Sequence, residues 1–153
     1  MVEISQETVN STFLEVVEQL TFMFGEPEDK NELDTENVEF TLAKMSFVGD
    51  LPGILSVAVP TSITAEIAAN ILGLEPEDLS DKAMLEDALG EMLNVVCGHV
   101  IMALVGTEAN FKLNSPKVSI VDETQLVEML ADPAFVGFDL DDSPVLLGLK
   151  TES

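Results

Sequence analysis

The sequence predicts an α+β domain: a mostly antiparallel sheet with helices packed on one face. Three observations carry that expectation. Short β-type runs come in neighbouring pairs joined by tight turns, at 49–53 and again at 141–144. Longer runs with helical spacing stand before, between and after them. No composition shift, linker or low-complexity segment divides the 153 residues, a length that suits one domain (1–153) with an ordinary core.

Residues 5–24 read as an amphipathic helix. Val9, Phe13, Val16, Val17, Leu20 and Phe24 recur at helical spacing, while Glu7, Ser11, Glu15 and Glu18 share another face. Gly25-Glu26-Pro27 should stop it, leaving 28–32 as a charged loop. Val38, Phe40 and Leu42 alternate with Glu39 and Thr41, as in a half-buried strand. The alternation then shifts to Met45 and Phe47, which suggests a bulge at Ala43-Lys44. Residues 54–59 form the partner strand, ended by Pro60. Thr61 or Ser62 should cap a second helix through Ile63, Ile67, Ile71 and Leu72 to Gly73. Ser80 is the expected cap of the longest helix, 81–106. A strand at 118–121, a short helix at 123–130, a strand at 134–138 and a last strand at 145–149 complete the order α, ββ, αα, β, α, ββ.

Charge excludes several functions. Six basic residues, all lysine, face 29 acids, for a formal net charge of -23. Such a surface repels phosphate backbones and anionic lipid, so neither nucleic acid nor membrane is an expected partner. Without arginine the chain has no bidentate phosphate clamp. Cys97, the lone cysteine, reads as a small core residue in a reducing compartment, and the N-terminus lacks the pattern of a signal peptide, so a cytoplasmic location is expected. The run between Glu91 and Glu108 approaches the roughly 18 apolar residues of a membrane span, but Asn94 and His99 interrupt it and point to a core helix. His99, the one histidine, reads as a core or semi-buried residue. The acids at 139–142 lack the spacing of a calcium loop and read as a solvated turn. No metal site and no nucleotide loop is expected.

One constellation remains. An α-helix turns about 100° per residue, so Asp87, Glu91 and Asn94, spaced i, i+4 and i+7, share one face of the long helix. The opposite face, through Leu89, Met92, Leu93 and Val96, is apolar. Beyond Asn94 the polar stripe gives way to Gly98, Ile101, Met102 and Val105. Pro116 follows 22 residues after Asn94.

Asp87, Glu91, Asn94 and Pro116 together resemble the signature of the CheC/CheX/FliY family of bacterial chemotaxis phosphatases, with the last gap one residue shorter than usual. The N-terminal helix, the hairpin around 49–53, the stretch Ala68-Ala69-Asn70-Ile71-Leu72-Gly73 and the sequence Gly90-Glu91-Met92-Leu93-Asn94 are most similar to CheX. The resemblance implies a CheX/CheC-like fold and hydrolysis of the aspartyl phosphate on a receiver of the CheY type. It implies catalytic roles for Glu91, which would pair with the receiver's lysine, and Asn94, which would position the attacking water. Asp87 would support the site edge or contact the partner, and Pro116 would shape the adjoining loop. The chain would need no cofactor of its own, since Mg²⁺ would sit on the receiver. It also implies a homodimer, for which the last strands, with Phe135, Phe138, Leu146 and Leu147, offer a candidate edge. CheC-type relatives carry two sites. Here Glu7 and Asn10 repeat the spacing without a matching proline and read as surface residues. The alternative from another class is a non-catalytic module that docks a receiver or joins a flagellar-switch assembly.

Overall fold

The computed structural model describes residues 4–79 and 81–152. Among the described residues there are four α-helices: α1 (Gln6–Thr21), α2 (Thr64–Leu72), α3 (Lys82–Val105) and α4 (Glu123–Ala131). The strands are β1 (Gly25–Glu28), β2 (Phe40–Gly49), β3 (Gly53–Pro60), β4 (Phe111–Leu113), β5 (Lys117–Ile120), β6 (Phe135–Leu140) and β7 (Ser143–Thr151). They form one sheet in the order β1-β6-β7-β3-β2, with β4 and β5 end to end along the outer side of β2. Every pairing is antiparallel. The α+β class is as the sequence indicates.

Alternation along the strands divides the sheet into two faces. Ala43, Met45 and Phe47 of β2, Leu55, Val57 and Val59 of β3, and Val145 and Leu147 of β7 share the main core with α1 and α3. Ile67 of α2 joins the same core. The short helix α4 differs, packing Met129 against Phe40, Ala58, Phe135 and Leu146 on the other face. This explains the apparent shift in β2. Phe40 and Leu42 are apolar because α4 covers their end of that face, while Met45 and Phe47 belong to the main core.

The bulge expected at Ala43-Lys44 is therefore absent, and β2 pairs with β3 without interruption from Phe40↔Pro60 to Phe47↔Gly53. The extra residue lies across the ladder. Between Phe47↔Leu113 and Lys44↔Lys117, two residues of β2 oppose three of the outer strand, Asn114, Ser115 and Pro116.

Other expectations also change. Helix α1 stops at Thr21 because Phe22 adopts a left-handed conformation (φ 60°). Met23 then takes the core position expected of Phe24, which is exposed. Gly25-Glu26-Pro27, expected only to stop the helix, forms β1 together with Glu28, and the pattern GEPE gives no apolar alternation to reveal its pairing with β6. Strand β4 is likewise too short for a periodic signal. Neither Thr61 nor Ser62 caps α2; a 3₁₀ turn over Thr61–Ile63 leads into it, and the Thr61 hydroxyl meets that of Thr41 at 2.8 Å. Ser80 lies outside the described residues, and Asp81 caps α3 by accepting from the Ala83 N–H at 2.9 Å. His99 is exposed rather than in the core. Strands β6 and β7 are no free edge, because β1 covers β6 and β3 covers β7, so their apolar residues lie inside the sheet. Association by strand addition would have to use β1 or the β4–β5 side.

Helix α3 is long and apolar enough to cross a membrane by length and composition alone. Half of that apolar stretch is buried, with Leu89, Met92, Leu93, Val96, Cys97, Val100 and Ile101 in the main core. Of the acids at 139–142, only Asp141 and Asp142 form the expected turn, both at positive φ, 48° and 68°, with the Asp141 carboxylate accepting from the Phe24 N–H at 3.1 Å. Asp139 instead lies in β6, half-buried, with one carboxylate oxygen buried and without a hydrogen-bond partner among the described residues.

Candidate active site

Helix α3 presents its polar stripe because its other faces are occupied. Leu89, Met92 and Leu93 are buried, which turns Asp87 and Glu91 outward, both exposed, and leaves Asn94 half-buried at the inner end. From Asp87 to Asn94 the stripe spans about 10 Å at the helical rise. The carboxylates are thus wet, and the carboxamide sits where solvent thins.

The opposite wall comes from the break between β4 and β5. Asn114 holds it: its N–H donates to the Ser46 carbonyl at 3.0 Å, and its side-chain amide donates to Ser46 Oγ at 2.7 Å. The extra residue pushes Ser115 and Pro116 toward α3. Pro116 then lies on Gly90, whose missing side chain makes room for the ring. The result is an open groove of about 460 Å³ lined by Glu86, Asp87, Gly90, Glu91, Asn94, Ser115, Pro116 and Val118. All four residues singled out in the sequence line this one groove.

Gly90, Glu86, Ser115 and Val118 join them. Gly90 had a legible signal, since a glycine inside an apolar helix is costly unless something approaches closely. Glu86 had one as well, four residues before Gly90 and eight before Asn94 on the same helix. Ser115 and Val118 had none, because their place depends on how the β4–β5 segment lies against α3.

The groove is electrostatically one-sided. Three carboxylates line it, Glu86, Asp87 and Glu91. The two ion pairs among the described residues are Lys82–Glu86 at 3.9 Å and Lys150–Asp132 at 2.7 Å, so Asp87 and Glu91 have no internal counter-ion. A small phosphate ester would be repelled here, whereas a partner bringing its own cation would be attracted. Glu7 and Asn10 form no comparable wall: Glu7 is exposed, and the Asn10 carboxamide oxygen accepts from Gln6 at 2.7 Å.

The sequence model of the family described as "Chemotaxis phosphatase CheX" matches residues 41–136, from β2 to the start of β6 and across the whole groove. The chain belongs to the CheX family. CheX from Desulfovibrio desulfuricans has the same fold, at 16% identity over 95% of this chain and 97% of that one, with a TM-score of 0.68. The CheX–CheY–BeF3–Mg²⁺ complex from Borrelia burgdorferi is as similar, at 14% identity, 96% and 97% coverage and a TM-score of 0.68. FliY from Thermotoga maritima follows at 15% identity, 94% and 90% coverage and 0.55. No curated protein sequence matches this chain.

Proposed function

We propose that this CheX-family chain hydrolyses the aspartyl phosphate of a response-regulator receiver domain of the CheY type. One observation carries the reading: a half-buried carboxamide, Asn94, ends a stripe of carboxylates, Asp87 and Glu91, that have no ion-pair partner among the described residues, in a groove with no cation among its described lining residues. A receiver supplies what the groove lacks, because its phosphorylated site already carries a lysine and Mg²⁺. Membership of the CheX family supports a phosphatase, and the complex of Borrelia CheX with CheY supports a receiver as partner.

Hydrolysis needs a water in line with the phosphorus–oxygen bond to the aspartate. The Asn94 carbonyl accepts a hydrogen bond from that water while the amide donates to its neighbourhood, so the lone pair faces phosphorus. The oxygen–phosphorus bond forms as the aspartate carboxylate leaves, giving inorganic phosphate. Positioning and charge neutralisation account for most catalysis in phosphoryl transfer, and a carboxamide performs the first without needing a tuned pKa. Glu91 pairs with the receiver's lysine and sets the register of α3 in the partner's site. Asp87, one turn earlier, contacts the rim, and Pro116 keeps the groove's far wall in place.

The deciding experiment is phosphate release from a phosphorylated receiver of the same organism, with the wild-type chain and with Asn94→Ala. Acceleration by the first and not the second supports the assignment. Binding without acceleration by either would replace it with a docking module.

A further inference from the structure

The lysines of this chain are not scattered. Two have carboxylate partners, Lys82 with Glu86 and Lys150 with Asp132. Lys30 donates to the backbone carbonyls of Asp132 and Phe135. The remaining three, Lys44, Lys112 and Lys117, are exposed, and none has an ion-pair partner among the described residues although the chain carries 29 acids.

The sheet register gathers these three. Lys117 lies directly opposite Lys44, and Lys112 lies opposite Val48, four residues further along β2. An even spacing along a strand keeps side chains on one side, so all three point away from the face that carries α1 and α3. The extent from Lys44 to the level of Lys112 is about 13 Å at the rise of a strand. Between and beside them stand Ser46, Ser56 and Ile54, with no acid among these strand positions, and Val48 is 49% exposed. Helix α4 covers the other end of this face, over Phe40 and Ala58, and leaves this end open.

Like charges directly opposite each other on a ladder oppose pairing. In a chain so short of cations, this arrangement gives the fold nothing. We infer that this uncovered sheet face docks an acidic segment of a partner protein, at a surface separate from the groove on α3. The occupant is acidic because charge complementarity requires it. A second copy using the same face is disfavoured, because a two-fold contact would set lysine against lysine. A long nucleic acid would run off three lysines onto the surrounding carboxylates. A short acidic segment stays within the patch, and beyond about 8 Å at physiological salt the distant acids are largely screened. A partner held here leaves α3 free, so the face would tether the protein without blocking its groove.

The probe is a short fluorescent oligoglutamate peptide, with binding followed by anisotropy at low and physiological salt. The full chain is compared with the triple variants Lys44→Gln/Lys112→Gln/Lys117→Gln and Lys44→Glu/Lys112→Glu/Lys117→Glu, and with Asn94→Ala. Salt-sensitive binding by the wild-type chain and Asn94→Ala, weakened at least about tenfold by the neutral triple variant and abolished by the charge reversal, is expected. Circular dichroism confirms that the neutral variant is folded. No binding by the wild-type chain, or binding that survives the neutral variant, would overturn the inference. So would equal binding of a DNA oligonucleotide, or a self-association seen by sedimentation that the lysine variants abolish.

Discussion

Gly90 and Pro116 touch: a Cβ built on Gly90 would lie 3.0 Å from Cγ of Pro116 and 3.6 Å from its Cβ. The contact joins the helix that carries the polar stripe to the wall that faces it, so the width of the groove depends on a glycine next to Glu91. It also gives Pro116 a physical task. The proline tolerates the bulged segment, and its ring fills the space that a helical side chain would otherwise occupy.

That contact predicts non-additivity. Gly90→Ala gains about 1 kcal/mol of helix propensity but must displace the ring by a few tenths of an ångström. In a Pro116→Ala background the same change should show its full stabilisation. A denaturation cycle over the four proteins checks this, and additivity within about 0.5 kcal/mol would show the two residues to be uncoupled. Gly90→Val should lower both stability and phosphatase rate.

Asn94→Ala should reduce phosphate release by on the order of a hundredfold or more, with the KM for the receiver little changed. Stability should move by no more than about 1 kcal/mol, because the amide faces the groove rather than the core. Single-turnover kinetics together with thermal melts separate these effects. A variant that hydrolyses at the wild-type rate would remove Asn94 from the mechanism.

Glu91→Ala should act mainly on docking. Loss of a charge-assisted contact to the receiver's lysine is expected to raise KM by roughly ten- to a hundredfold. Glu91→Lys should be worse, because it sets two cations against each other. Titration of a labelled receiver measures this directly. An unchanged affinity in both variants would mean that the carboxylate faces elsewhere in the complex.

Asp132 gives a pH signature remote from the groove. The hydrogen bond from Lys150, then that from the Ala134 N–H, holds its carboxyl below the usual range. A pKa lowered by folding contributes stability above the unfolded value, about 3.9, and that contribution is lost as pH falls toward the folded value. Asp132→Asn should therefore lower neutral stability by a small, solvent-screened amount and flatten the acid limb of the stability profile below about pH 4 by that same amount. An unchanged acid limb would mean that Asp132 has no part in it.

Cys97 should be inert in the native state. Burial raises its thiol to about 12, so the reactive thiolate is scarce at neutral pH. A thiol reagent should label the protein only after denaturant is added. Rapid labelling of the folded chain would place the side chain outside the core.

Much of the site was legible in the sequence because it lies on one regular element. Helical periodicity alone puts Asp87, Glu91 and Asn94 on a common face, and the apolar residues between them say which face is buried. The strand pairs around 49–53 and 141–144 were legible for the same reason, since alternation and turn residues are local signals. Tertiary structure decided what no local pattern encodes. Pro116 reaches Gly90 only because β4 and β5 both pair with β2 and one extra residue is pushed out between them. Phe40 and Leu42 are apolar for α4, not for the main core. Strand β1 exists because β6 offers it hydrogen bonds, not because its own residues favour a strand. Periodicity fixes the direction in which a side chain points along its own element, whereas the partner it meets depends on pairings between residues far apart in the chain.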